Sequence, residues 1–233
     1  MIIVWISTSQ AEFPFDCVKS TKMAVSASTN FRRTASRAAR RQQLIDATMK
    51  CIARKGMGST TLADVATEAG LSQGIVNLHF ESKDNLLSET LRYLAEDYKA
   101  QFDKSLARAG PHPADQLRAA MELDFKPAIC DRQKLALWFA FWGEVKSRPA
   151  YRKICAESDQ YYEDVIEQLC SAIIKDGGNA TLSASTVANA LKSMTVGLWL
   201  FCLISPQTFD RHRALDAVMS YLRGVFPAHF SER

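Results

Sequence analysis

Five positions between 72 and 79 carry side chains suited to reading a nucleic acid. Ser72, Gln73, Asn77 and His79 can form hydrogen bonds, and Gly74 lets a backbone approach closely. Gln and Asn pair bidentately with adenine edges, and Ser serves either purines or pyrimidines. Lys83, Arg40 and Arg41 stand near helix starts, where their charge has the wrong sign for the helix macrodipole. They fit better if an external phosphate lies there, and Thr61 adds a hydroxyl to that set. The plainer alternative is a small, solvated polar helix. A second set is aromatic. Trp138, Phe141 and Trp142 recur at i, i+3 and i+4, with Glu122, Asp124 and Phe125 before them. Tyr161, Tyr162 and Trp199 follow later in the chain. Ring faces beside a carboxylate suit a quaternary ammonium ion, which has no hydrogen-bond donor and is held by cation–π contact of about 0.5–2 kcal/mol per face. Aromatics at this spacing equally suit ordinary packing.

The reading residues need a small scaffold. Thr61 with Asp64 forms a capping-box-like helix start, and Leu62, Val65, Ala66 and Ala69 give that helix an apolar stripe. Gly70 ends it by way of the left-handed conformation. Ser72 is placed to cap the next helix, which Ile75, Val76 and Phe80 can anchor. That helix has about two turns, too few to be stable alone in water. Its neighbours must hold it, leaving its outer face free for a major groove, as in a helix-turn-helix.

The segment AGLSQGIVNLHFESKDNLL resembles the recognition segment of TetR-type transcriptional regulators, whose usual form is close to A-G-V-S-x-G-x-x-Y-x-x-F-x-x-K-x-x-L-L. Ala69, Gly70, Ser72, Gly74, Phe80, Lys83, Leu86 and Leu87 stand in register. Asn77 replaces the usual aromatic, and His79 stands where tyrosine is common. The polar residue at 77, the stretch RRQQLIDATMKCIARKGMGSTTLADVA and the later LWFAFWGEVKSRPAYR resemble the BetI branch of choline-responsive repressors. The resemblance spans residues 40–226. It implies a homodimer on a double-stranded operator, a small-molecule effector that is choline-like or another apolar or cationic compound, and a fourth helix whose tilt carries the signal.

The rest of the chain fits an all-α protein. Hydrophobic residues make up 47% and charged residues 23% of 233, ordinary for a globular chain with a full core. Net charge is only +4, so its distribution matters more. Between Asp16 and Asp46 there is no acidic residue, while Lys19, Lys22, Arg32, Arg33, Arg37, Arg40 and Arg41 fall there. This reads as a phosphate-binding arm or as a basic tail. Residues 1–31 read as an extension, with Met23 as an alternative start. Residues 32–86 read as the helix-turn-helix domain and 87–228 as a helical ligand-binding and dimerisation domain, about nine helices in all.

Helices are expected at 37–55, 83–108, 114–128, 132–147, 149–175, 183–205 and 208–226, with prolines 149 and 206 in first turns and a loop at 176–179. Two late stripes, Val187/Leu191/Met194/Leu198/Phe201 and Leu215/Val218/Leu222/Val225, pack on the body or pair with a second copy. No apolar run reaches the roughly 20 residues that span a bilayer, so no membrane partner is expected. Six scattered cysteines lack metal spacing and read as reduced core residues of a cytoplasmic, nucleoid-associated protein. The four histidines form no HExxH, and no GxSxG or phosphate loop occurs. Neither enzymatic activity nor a cofactor or metal is expected.

Overall fold

The structure, a computed structural model, describes residues 36–177, 181 and 183–231. The extension expected over residues 1–31, the start at Met23, Cys17, and the cations Lys19, Lys22, Arg32 and Arg33 lie outside the described residues. Among the described residues there are nine helices and no strand. The order is α1 (Arg37–Lys55), α2 (Leu62–Glu68), α3 (Gln73–Phe80), α4 (Lys83–Ala109), α5 (Pro113–Asp124), α6 (Arg132–Glu144), α7 (Pro149–Gly177), α8 (Ala184–Ile204) and α9 (Arg211–Val225).

The first three helices form where the local signals ask for them. Thr61 Oγ1 accepts from the Asp64 amide at 3.1 Å, and the Asp64 carboxylate accepts from the Thr61 amide at 3.0 Å. Both otherwise orphaned amides are thereby satisfied. Gly70 closes α2 at φ +64°, in the region that favours glycine. Leu44, Cys51, Val65, Ala66, Val76, Phe80 and Leu86 make one buried cluster under α1, α2 and α3. Arg41 fastens it. Its guanidinium donates to Glu89 at 2.5 Å and to the His79 carbonyl at 3.4 Å, and lies 4.5 Å above the Phe80 ring. The turn from α3 to α4 is only Glu81 and Ser82, with Glu81 at φ +62°. So short a joint makes α3 follow α4.

A single helix, α4, passes through all three buried clusters. It gives Leu86 to the first, Leu87, Leu91 and Leu94 to the second, and Phe102 to the third. The second cluster adds Ile52 and Met57 from the α1 side to Trp138 and Phe141 of α6 and Tyr151 and Ile154 of α7. The third is the large core of α5 to α9, including Leu117, Met121, Ile166, Leu191, Val218 and Leu222.

Several boundaries differ from expectation. Asp176 and Gly177 continue α7 rather than opening a loop. Residues 178–180 of that expected loop are outside the described set. Pro206 lies in a turn, because Asp210 accepts from the His212 and Arg213 amides and sets the start of α9. Ser72 sits at the α3 N-cap without a side-chain hydrogen bond, so its hydroxyl is not spent there.

The late stripes divide. Val187, Leu191, Val218 and Leu222 are buried within the chain, while Phe201 is 59% exposed beside exposed Leu200 and Ile204. With apolar residues on both faces, the 21-residue α8 contains an 18-residue stretch with a mean hydropathy of 1.6. By length and composition it could cross a membrane, contrary to the reading of the sequence. Its inner stripe serves the core instead, and its Lys192 is ion-paired with Asp159 and Glu163.

Phe141 is fully buried and packs edge-on at 5.3 Å to Tyr151, joining α6 to α7. Phe141→Ala is expected to lower the unfolding free energy by roughly 3–5 kcal/mol, read from urea midpoints. A loss below about 1 kcal/mol would show that this contact is not part of the core.

Candidate functional site

Two sites emerge, one on each side of α4. The first is the outer face of α3. Ser72, Gln73, Gly74 and Asn77 are exposed there, and His79 is half-buried. Leu78, absent from the sequence candidates, is 71% exposed between Asn77 and His79. A leucine so open on a helix this short has no packing role, and apolar side chains contact thymine methyls in a major groove. The signal for it was its position on the reading helix, outside the anchoring set of Ile75, Val76 and Phe80.

The cations around this face are partly engaged. Arg41 is held by Glu89 and the His79 carbonyl, so its first task is to brace α3 against α1 and α4. Arg40 donates to Gln43 at 2.8 Å. The Lys83 amine lies 3.5 Å from the Met57 carbonyl, which uses one of its three donors. Thr61 spends its hydroxyl on Asp64, accepting from the amide and donating to the carboxylate at 2.8 Å.

The second site is a cavity of about 440 Å³ bounded by α4 to α8, within the usual range of roughly 300–1,000 Å³ for small-molecule sites. Trp138, Trp142, Trp199, Tyr98 and Tyr162 supply its aromatic wall. Asp124 is its carboxylate. That group is fully buried and accepts from the Tyr98 hydroxyl at 2.6 Å and the Tyr162 hydroxyl at 2.9 Å. The Trp199 indole donates to the Asp124 carbonyl at 2.9 Å. Tyr98 touches Trp138 and Trp199 edge-on, at 6.5 and 6.3 Å between centroids. Arg152, Asp159 and Lys192 add charge to the wall.

Burial dominates the electrostatics. Removal from water pushes the Asp124 carboxyl up to about 7, against the opposing pull of its two tyrosine hydrogen bonds. Burial, followed by the neighbouring Asp124, raises the Tyr98 and Tyr162 hydroxyls well above their ordinary value. They stay protonated and donate.

Of the sequence candidates, Asp124, Trp138, Trp142, Tyr162 and Trp199 reach the cavity. Four do not. Phe141 and Phe125 are core residues, and Glu122 lies away from the cavity, the neighbouring Asp124 taking the inward place. Tyr161 turns to a different groove, donating to Asp103 at 2.6 Å beneath Lys99, while Tyr162 takes the cavity position.

Residues 44–90 match the family described as bacterial regulatory proteins of the tetR family. Residues 113–227 match the BetI-type transcriptional repressor C-terminal family. The chain is 34% identical over 186 residues to the HTH-type transcriptional regulator BetI of Paraburkholderia phymatum, covering 80% of this chain and 92% of that protein. A transcriptional regulator from Pseudomonas aeruginosa PAO1 superposes with a TM-score of 0.76 at 27% identity, over 87% of this chain and 99% of the other. A regulator from Saccharomonospora viridis, solved in complex with choline, superposes with a TM-score of 0.71 at 22% identity, over 80% and 96% of the two chains.

The Asp124 carboxyl, near 7 when folded and near 4 when unfolded, holds a proton longer in the folded chain. Its contribution to stability is complete below about pH 4 and is lost as pH rises through about 7. Asp124→Asn removes that loss. The stability difference between variant and wild type is expected to shift in the variant's favour from pH 5 to pH 8, followed by urea midpoints. A difference independent of pH would show that the carboxyl titrates normally.

Proposed function

From the premise that this chain belongs to the TetR family of transcriptional regulators, with a BetI-type C-terminal domain, we propose that it is a homodimeric repressor released from its operator by a choline-like quaternary ammonium ion. It is a transcriptional regulator and not an enzyme, as its relatives are named. The observation that carries the effector reading is the fully buried Asp124 carboxylate in a cavity walled by indole and phenol rings. A cation there meets a counter-charge and ring faces, and needs no donor of its own. The choline complex of the Saccharomonospora viridis regulator supports the same chemistry.

Residues 32–86 then form the DNA-binding domain and 87–228 the effector and dimerisation domain. Ser72, Gln73, Gly74, Asn77, Leu78 and His79 meet base edges. Lys83 and Arg40 face phosphates, as do the Arg41 donors that its ion pair leaves free. A second copy covers exposed Leu200, Phe201 and Ile204 of α8, which α9 flanks with exposed Ala217, Ser220 and Gly224. A two-fold dimer sets two reading helices about 34–36 Å apart, one turn of DNA. The protein acts in the cytoplasm, at the nucleoid.

Release works through differential affinity: the effector binds more tightly to a state whose reading heads are spread out of register. The connecting parts are short. Trp138 belongs both to the cavity wall and to the cluster that includes α1 and α4. Arg148, in the turn after α6, donates to Asp84 in the first turn of α4 at 2.7 Å.

The test uses purified protein and the DNA upstream of its own gene, followed by fluorescence anisotropy. Palindrome-dependent binding that choline weakens is expected. Specific binding indifferent to choline would refute the effector reading, favouring another apolar or cationic inducer for efflux or catabolic genes. In the same assay Gln73→Ala is expected to relax preference at one base pair, about 1–3 kcal/mol of discrimination. Lys83→Ala is expected to weaken all sequences alike and flatten the salt slope by about one. Equal effects from the two variants would refute this division of roles.

A further inference from the structure

Five polar or charged residues are buried among the described residues: Thr48, Thr60, Thr90, Asp124 and Thr195. Four are satisfied within the chain. Thr48 and Thr90, each inside a helix, donate to the carbonyl four residues back at 2.7 and 2.8 Å. Thr60 donates to the Gly56 carbonyl at 2.8 Å, and Asp124 has its two tyrosines. Thr195 is the exception among them; the buried Tyr151 hydroxyl also lacks a partner, but it lies outside the cavity. Thr195 sits within α8 and is 5% exposed, yet its hydroxyl has no partner.

That orphan hydroxyl could have followed the other two helical threonines, since a helical threonine readily turns its oxygen back to the preceding turn. A buried hydroxyl without a partner is unfavourable. Its setting suggests the reason. Thr195 lines the cavity, one helical turn from Trp199 on the same face of α8. Three other uncharged donors of the wall are spent: the Trp199 indole on the Asp124 carbonyl, the Tyr98 and Tyr162 hydroxyls on the Asp124 carboxylate. Ring faces and a carboxylate recognise a methylated ammonium head but offer nothing to a polar tail. Thr195 Oγ1, both donor and acceptor, offers that. A turn of helix is roughly 5.4 Å, so a short carbon spacer connects the two places.

We propose that Thr195 is a specificity-determining residue that hydrogen-bonds a hydroxyl on the effector, so that the cavity takes quaternary ammonium alcohols in preference to quaternary ammonium ions without one. This rests on the cation reading of the same cavity. The hydroxyl supplies the partner that Thr195 lacks, and an effector without it leaves Thr195 unsatisfied.

The test is calorimetric titration of the full-length protein with choline and with ethyltrimethylammonium, the same skeleton without the hydroxyl. Wild type is expected to bind choline about tenfold more tightly, the worth of one hydrogen bond into a buried site. Thr195→Val, close in shape, is expected to lose that factor for choline and keep its affinity for ethyltrimethylammonium, which also shows that the variant is folded. Thr195→Ser is expected to restore the preference. Equal affinities in wild type, or a Thr195→Val loss shared by both ligands, would overturn the role of Thr195 while leaving the cation reading intact. Failure of both ligands to bind wild type would overturn the cation reading and this proposal with it.

Discussion

A buried carboxylate organises the α4 to α8 part of this protein. Asp124 ends α5, Tyr98 reaches it from α4, Tyr162 from α7, and the Trp199 indole grips its main chain from α8. Four helices thus meet at one charge. Leaving water raises the free energy of that charge, and two hydroxyl donors offset only part of the rise, as its value near 7 shows. Under the proposed function, a cation entering the cavity supplies the compensation that the chain withholds. The aromatic rings around it line the cavity and pack the core at once.

The same geometry explains how a small ligand could reach DNA. Tyr98 lies on α4, whose N-terminal end is joined to the reading helix by two residues. Arg41 holds α3 against both α1 and α4, so the reading head moves as a unit. Since α4 packs in all three clusters, a change in how α6 and α7 sit on it need not be large. The proposed release requires only that two arrangements differ in affinity for effector and for operator.

Much of this was legible in the sequence, for identifiable reasons. The helix-turn-helix announces itself locally: the Thr61–Asp64 cap, Gly70 at positive φ, and apolar residues at helical spacing are short-range signals that the structure reproduces. The cavity depends on helix rotation, which spacing alone does not fix. Trp138, Phe141 and Trp142 share one broad face, but successive residues turn by roughly 100°, which sends Phe141 into the second cluster and Trp142 to the cavity. Glu122 and Asp124 stand two positions apart, on nearly opposite sides of a helix, and Tyr161 and Tyr162 are adjacent. The hydropathy of α8 was likewise opaque, because an inner core stripe and an outer exposed stripe add up to a helix apolar enough for a membrane.

Reciprocity gives the sharpest test of the central claim that cation binding and operator binding oppose each other through this fold. If choline weakens operator binding by some factor, the operator must weaken choline binding by the same factor. Calorimetric titration of choline into the free protein, and into the protein saturated with its operator, measures this directly. The expected result is weaker choline binding to the complex, by the factor found in the DNA titration. Equal choline affinity in the two states would mean that the Asp124 cavity and the reading helices are uncoupled.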